Sequence, residues 1–300
     1  MEYFLDIFLG GLTRGSIYAL IALGYTMVYG IIELINFAHG EIYMIGAFTA
    51  LIVASVLTLL GFNTVAVFLL AIVIAVIYSC CYGFTMEKIA YKPLRTAPRL
   101  SALISAIGMS LFLQNYVLLA QTSDFLRFPK LIPDVAFWEP YAHIITFQEV
   151  VIFITTAFVM VFLTFLIKFT RVGKAMRATS QDKVMAALSG INVNRVISIT
   201  FIVGSGTAAI GGVLIASHIG MINFYMGFIA GIKAFVAAVL GGIGSIPGAV
   251  LGSFVLGWTE SFATGYVSSD YEDVFAFLFL VFILIFRPAG ILGKKERSKV

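Results

Sequence analysis

Long apolar runs separated by short polar breaks dominate the sequence. Nine runs approach the roughly 20 residues that a helix needs to cross a bilayer. They lie at 10–32, 42–60, 64–88, 101–121, 148–169, 196–217, 228–244, 248–267 and 273–287. Gly and Pro crowd the junction between the seventh and eighth runs, so the number of complete crossings there is open. The pattern predicts an all-α polytopic membrane protein with about eight or nine transmembrane helices in a single domain, 1–300.

The composition excludes a soluble globular protein. Hydrophobic residues make up 61% of the chain and charged residues 11%, with a mean hydropathy of +1.04, whereas soluble domains carry about 25% charged residues. The start, MEYFLDIFLGG, lacks the basic residues and cleavage site of a signal peptide, so we expect it to be retained. Cys80 and Cys81 are adjacent in an apolar run and indicate neither a disulfide framework nor a metal site.

The distribution of Lys and Arg predicts the orientation of the chain. The basic residues cluster at 88–99, 168–195 and 287–299, and the positive-inside rule places such clusters in the cytoplasm. Nine crossings that start from an N-terminus outside the cell satisfy this rule for all three clusters. The loop 122–147 and the acidic segment 268–274 are then expected outside, and the C-terminus in the cytoplasm.

Two segments of the sequence resemble each other. INFAHGEIYMIGAF at 35–48 aligns without gaps on INFYMGFIAGIKAF at 222–235, and eight of fourteen positions coincide. In the expected topology the first copy lies toward the cytoplasm and the second toward the outside. The halves, roughly 1–121 and 196–290, are therefore predicted to be inverted repeats with interrupted or re-entrant helices, the architecture of many transporters. Coincidence in a chain rich in Ile, Phe, Ala and Gly is the alternative.

Polar residues near the two INF segments are candidates for a translocation pathway, since a charge at the bilayer centre costs about 2.5–3.5 kcal/mol. Simpler roles are open for each of them. Asn36 is a possible N-cap for the next helix, with Glu41 in its first turn, and His39 a possible packing residue. Lys233 and Glu260 are a possible ion pair. The pathway candidates are Asn36, His39, Glu41, Asn223, Phe224 and Lys233.

The longest predicted cytoplasmic connection, 170–195, predicts a short amphipathic helix. Ser180 is a plausible N-cap and Gly190 a plausible C-cap. Val184, Ala187 and Leu188 fall on one face. Such a helix either lies on the lipid surface or docks into a groove on a soluble partner protein.

Several blocks resemble the permeases of ATP-binding-cassette (ABC) importers. GLTRGSIYALIALGYTMVYGIIELINFAHGE at 11–41, AVLGGIGSIPGAVLG at 238–252 and FRPAGILG at 286–293 are similar to the branched-chain amino acid permeases of bacterial Liv-type systems. The segment 178–191 is similar to the coupling loop of such permeases. The residues that carry this likeness are Ala178, Asp182, Ala186, Ala187, Gly190 and Ile191.

The resemblance implies a non-catalytic subunit of the bacterial inner membrane, surrounded by lipid. Its partners would be a second, homologous permease, two cytoplasmic ABC ATPases and a periplasmic binding protein for Leu, Ile and Val, with no nucleic acid involved. ATP and Mg would be bound by the ATPases. GGIGSIP at 241–247 has no following Gly-Lys-Ser/Thr and is therefore not a nucleotide-binding loop.

Other functions stay open at this point. Permeases for urea and short amides have very similar blocks, which limits the substrate prediction. A passive aquaglyceroporin-like channel also uses inverted repeats, but here Phe follows the Asn in both copies and no Asn-Pro-Ala occurs. An ion-coupled carrier would leave the basic 170–195 loop without a purpose. An enzyme is disfavoured because no nucleophile–base or metal constellation occurs in the spans.

Overall fold

The computed structural model describes residues 2–95, 97–133, 138–139, 144–287 and 289–293, and this part of the chain is almost entirely helical. Each of the nine apolar runs forms a helix, which confirms the all-α prediction. The basic residues at 294–299 lie outside the described residues. The helices are α1 Glu2–Ile32, α2 His39–Leu59, α3 Thr64–Met86, α4 Arg99–Ala120, α5 Phe147–Phe169, α6 Arg171–Gln181, α7 Lys183–Leu188, α8 Val193–Ile219, α9 Met226–Gly241, α10 Ile246–Tyr266 and α11 Glu272–Phe286.

The lengths of these helices show which can cross a membrane alone. In the described part, α1, α2, α3, α4, α5 and α8 are each long and apolar enough, and the pair α9–α10, bent by 118°, gives up to seven spans. The bend lies at 242–245, where Gly242 and Gly244 have φ of 103° and 90°. α9 has 16 residues and α11 has 15, both short of a complete crossing. The described residues thus support six or seven complete crossings, against the eight or nine expected from the sequence, because α9 and α11 are short and α9 and α10 meet at a sharp bend.

α1 is the central helix of the bundle. The most apolar stretch of α1 is 83% buried, whereas the corresponding stretches of α3 and α5 are each 22% buried. The exposed side chains of α3 and α5 are mostly large and apolar, as expected of lipid-facing positions. α10 packs along α1 in the opposite direction: the hydroxyls of Tyr3 and Ser261 donate to the carbonyls of Gly265 and Ile7 at 2.5 and 2.6 Å.

The helices of the two predicted halves have equivalent packing partners. α1 packs on α10 and α8 packs on α3, while α2 packs on α8 and α9 packs on α1. α1 and α8 run antiparallel, since Gly24 approaches Gly204 while Leu20 approaches Gly211. Exchanging α1–α3 with α8–α10 therefore leaves each helix with matching neighbours. Inverted repeats require this arrangement, and the boundaries 1–121 and 196–290 remain predictions.

Two-residue strands, β1 Leu126–Arg127 and β2 Met221–Ile222, form the one small sheet of the described residues. They pair antiparallel, Leu126 opposite Ile222 and Arg127 opposite Met221. The loop after α4 is thereby tied to the segment between α8 and α9, which contains the second INF.

Candidate translocation site and coupling helix

The two INF segments occupy breaks of the same shape. α1 and α8 end 187 residues apart, and α2 and α9 begin 187 residues apart, the spacing of the aligned sequences. The first residue of each break has a left-handed backbone, with φ of 60° at Glu33 and 74° at Gly220. We call the breaks junction 1 (33–38) and junction 2 (220–225). Both junctions interrupt a helix pair in the same way.

The helices that follow the junctions cross at two aligned glycines. Gly40 in α2 lies directly against the carbonyl of Gly227 in α9. A Cβ atom on Gly40 would lie 2.7 Å from the Cα of Gly231, and one on Gly227 would lie 2.8 Å from the oxygen of Gly40. Only glycine permits so close a backbone approach. The first turns of α2 and α9 therefore meet inside the bundle, where α1 and α8 surround them.

Asn36 is buried in junction 1, with 2% of its surface exposed. Its side-chain oxygen accepts a hydrogen bond of 2.7 Å from the hydroxyl of Tyr91, which ends a π-helical turn after α3. The N-cap of α2 is Ala38, without a side-chain cap. The expected N-cap role of Asn36 is therefore wrong, because Tyr91 takes the oxygen that would cap the helix.

Glu41 and His39 are also buried. Glu41 lies in the first turn of α2, as expected, and accepts a 2.9 Å hydrogen bond from Ser110 of α4. The His39 ring packs edge-on against Tyr25, with centroids 4.8 Å apart, and lies against Gly24. This supports the packing role considered for His39.

In junction 1 and the adjoining turns of α1 and α2, four buried polar atoms have no hydrogen-bond partner among the described residues. They are Nδ2 of Asn36, Nε2 of His39, Oε2 of Glu41 and the Tyr25 hydroxyl. Such atoms cost about 1–3 kcal/mol each, so water or a polar ligand would stabilise the site. The adjoining cavity between α1 and α9, lined in part by Tyr25 and Phe235, has about 10 Å³, room for one water at most. This cavity is therefore too small to hold an amino acid.

Junction 2 has the same backbone break but different chemistry. Asn223 is half-buried, and its side-chain oxygen accepts a 3.0 Å hydrogen bond from the backbone N–H of Tyr225, a local turn. Phe224 is half-buried and packs edge-on against the ring of Tyr225. The segment 220–225 contains no charged residue. The two candidate asparagines therefore have unlike roles.

Lys233 belongs to an ion-pair network away from the junctions. Its Nζ lies 3.2 Å from Glu260, as the sequence suggested, and 2.7 and 2.9 Å from Glu272 and Asp273. Arg14 pairs with Glu272 at 2.8 Å. The three carboxylates lie within 4.8 Å of one another, but the two cations already balance most of their charge. The network joins α1, α9, α10 and α11.

The segment 170–195 forms two helices rather than one, α6 and α7. Asp182 has an extended backbone between them and is the N-cap of α7, accepting hydrogen bonds from the N–H groups of Val184 and Met185 at 2.8 and 3.0 Å. Ser180 lies inside α6 and bonds the carbonyl of Arg177, so its expected N-cap role is wrong. Gly190, with φ of 83°, follows the end of α7, which confirms its capping role.

α7 presents an apolar face outward. Val184, Met185 and Leu188 are 68%, 61% and 77% exposed, whereas Ala186 is buried. The arrangement is a short, capped helix that displays apolar side chains at one end of the bundle. Of the other coupling candidates, Asp182, Ala187 and Gly190 are exposed, and Ala178 and Ile191 are half-buried.

The hydrogen-bond partners of the candidate residues could not be predicted from the sequence. Tyr91 and Ser110 donate hydrogen bonds to Asn36 and Glu41, and Lys183 donates one to the carbonyl of Ile32 at the end of α1. Each of the three is an ordinary polar residue in its own segment. Glu87, fully buried, bonds Ser198 at 2.7 Å and pairs with Arg95. An acidic residue at the end of an apolar run was the available signal for this pair. The other contacts arise only in the folded bundle.

Comparison with known proteins decides the family. Residues 7–284 match the family described as branched-chain amino acid transport system, permease component. The chain belongs to this family. It is therefore a multi-pass membrane permease, and its α2–α9 crossing lies in a transport protein.

Individual relatives cover nearly the whole permease. It is 48% identical to the high-affinity branched-chain amino acid transport system permease protein LivH of Escherichia coli K12, over 99% of this chain and 98% of the relative. The identity is also 48%, with the same coverage, to BraD of Pseudomonas aeruginosa, a permease protein with the same description. A probable branched-chain amino acid transport permease of Methanocaldococcus jannaschii is 24% identical over 95% of this chain and 91% of the relative.

Proposed function

We propose that this permease is one membrane subunit of an ABC importer that carries Leu, Ile and Val across the bacterial inner membrane. The identity of 48% to LivH and BraD along the whole chain supports this substrate class. The observation that carries the ATP-driven mechanism is α7, a short helix capped at both ends that exposes three large apolar side chains. Such a helix fits a groove on a soluble protein.

The proposed complex has four further chains: a second, homologous permease, two cytoplasmic ABC ATPases and a periplasmic amino-acid-binding protein. The ATPases bind ATP and Mg, and this chain acts as a non-catalytic membrane subunit. α6 carries Arg171, Lys174 and Arg177 beside α7, so the positive-inside rule places this end in the cytoplasm. The N-terminus, at the opposite end of α1, then faces the periplasm and the C-terminus the cytoplasm.

The proposed mechanism is alternating access at the crossing of α2 and α9. ATP binding closes the ATPase pair, α7 moves with it, and the crossing at Gly40 and Gly227 opens. A zwitterionic amino acid suits this place, because helix N-termini attract its carboxylate and its side chain is apolar. The residues proposed to line the route are Asn36, His39, Glu41, Asn223 and Phe224, which lie in or beside the two junctions. Lys233, the remaining candidate, pairs with three carboxylates away from the junctions and is proposed only as a more distant part of the route.

Changes at the two caps of α7 test the docking role. Asp182→Ala removes the acceptor for two backbone N–H groups, and Gly190→Ala strains a left-handed position. In the reconstituted complex we expect the double variant to lose most of the ATPase stimulation by the loaded binding protein. Gln181→Ala, exposed at the end of α6, is the control.

Two outcomes would contradict the proposed function. Undiminished stimulation in the double variant would exclude α7 as the docking helix. Leucine uptake that persists after removal of the ATPases would favour a channel or an ion-coupled carrier instead.

A further inference from the structure

Lys183 connects α7 to the end of α1. It is the first residue of α7, and its Nζ donates a 3.0 Å hydrogen bond to the main-chain carbonyl of Ile32, the last residue of α1. The final carbonyls of a helix lack partners within the helix, and a cation near them is favourable. The last turn of α1 contains no basic residue of its own. Lys183 thus supplies the cation for a helix that ended 151 residues earlier.

The bonded carbonyl lies at the start of junction 1. The next residue, Glu33, has the left-handed backbone that turns the chain out of α1, and α2 begins six residues later at His39. A shift of α7 that moves the Ile32 carbonyl therefore acts on the short segment that leads to the α2–α9 crossing. Since α7 is exposed and α1 is the most buried long helix, the bond links the surface to the centre of the bundle.

Junction 2 is held one residue from the matching position, from the opposite end of the bundle. The N–H of Phe128 donates a 2.9 Å hydrogen bond to the carbonyl of Gly220, the residue aligned with Glu33. The pairing of β1 with β2 extends this attachment along junction 2. Because α1 and α8 are antiparallel, their ends lie at opposite ends of the bundle. Each junction is thus attached, near its first residue, to a loop or short helix of its own end.

We propose that Lys183 is a positioning residue of the transport cycle, which passes the movement of α7 to junction 1 while the 126–128 segment holds junction 2. This inference rests on the proposed docking of an ATPase on α7. The role of Lys183 is distinct from docking. The apolar face of α7 binds the partner, and the hydrogen bond of Lys183 to Ile32 transmits the movement of α7 to α1.

Three variants of the full complex in proteoliposomes test this role. Lys183→Met removes the hydrogen bond and keeps the length of the side chain, Lys183→Arg restores a donor, and Lys174→Met changes an exposed lysine on α6 as the control. The measurements are co-purification of the ATPases, basal ATPase rate, stimulation by the loaded binding protein, and leucine taken up per ATP hydrolysed.

We expect Lys183→Met to keep the ATPases bound and the basal rate unchanged, while stimulation and uptake per ATP fall at least about fivefold, the lower range of allosteric coupling. Lys183→Arg should recover most of the loss, and Lys174→Met should behave as the parent chain. Normal uptake per ATP in Lys183→Met would overturn the inference, and so would loss of the bound ATPases, which would make Lys183 a docking residue. If the ATPases fail to bind the parent chain, the proposed function itself is wrong.

Discussion

Junctions 1 and 2 have the same backbone geometry but different side chains. Each junction begins with a left-handed residue directly after a helix. Each leads into a helix, α2 or α9, and the first turns of these two helices pack against each other. Junction 1 and the first turn of α2 contribute a buried Asn, His and Glu, which contact α1, α4 and the π-helical turn after α3. Junction 2 has no charged residue, and its Asn223 is only half-buried. The break in the helix and the glycine contact are therefore common to the two halves. These buried polar residues belong only to the half that contains junction 1.

The two junctions also differ in how well their buried polar atoms are hydrogen-bonded. Four of the buried polar atoms without partners among the described residues lie in or beside junction 1, which follows the end of α1 that Lys183 contacts. Polar groups in that condition favour any conformation that brings water or a polar solute to them. Water or a polar solute at junction 1 would therefore remove this cost, whereas the described residues of junction 2 include no such atom.

The glycine crossing is the feature on which both junctions depend, so its loss should have the largest effect. Gly40→Ala or Gly227→Ala forces a methyl group into the backbone of the facing helix. Overpacking of this kind costs about 1–3 kcal/mol, and we expect a lower melting temperature and abolished leucine uptake. Thermal unfolding in detergent and uptake in vesicles measure the two effects.

Gly108→Ala is the matched control for these variants, because an added Cβ at this α4 position meets nothing within 4 Å. If Gly40→Ala is as stable and active as Gly108→Ala, the two helices do not cross at the glycines.

The two asparagines should differ in what they contribute to stability. Asn36→Ala leaves the buried hydroxyl of Tyr91 without its acceptor, which costs about 1–3 kcal/mol. Asn223→Ala removes a local turn bond at a half-buried position, where we expect a loss of about 0.5 kcal/mol. Melting temperatures of the two variants check the order. Equal losses would show that the junctions bury their asparagines alike.

Tyr91→Phe is the companion to Asn36→Ala. It deletes the donor of the same hydrogen bond, so the double variant should lose little more than either single one. Additive losses would indicate that the two side chains stabilise the protein separately.

The sequence carried enough information for the helices and their breaks, and too little for the contacts around them. Apolar length alone identifies helices such as α3 and α5, and a repeated INF tripeptide identifies both junctions. Capping was harder: Asn36 and Ser180 have the right side chains, but tertiary packing gives the first to Tyr91 and the continuation of α6 absorbs the second. Lys183 was unpredictable because its acceptor is a main-chain carbonyl, which no residue type marks.

A further comparison tests whether the first residues of the two junctions, Glu33 and Gly220, share the same left-handed backbone conformation. Position 33 holds Glu and position 220 holds Gly, both with left-handed φ. An L-residue pays about 1 kcal/mol in that region relative to glycine, so Gly220→Ala should destabilise by this amount, since its added Cβ meets nothing within 4 Å. At position 33 we expect Glu33→Gly to be more stable than Glu33→Ala by a similar margin, a comparison that cancels the loss of the Glu side chain. In the helical control, Gly108→Ala, the order reverses and alanine is favoured. Melting temperatures that favour alanine at 33 would mean that α1 continues past Ile32 and that junction 1 begins elsewhere.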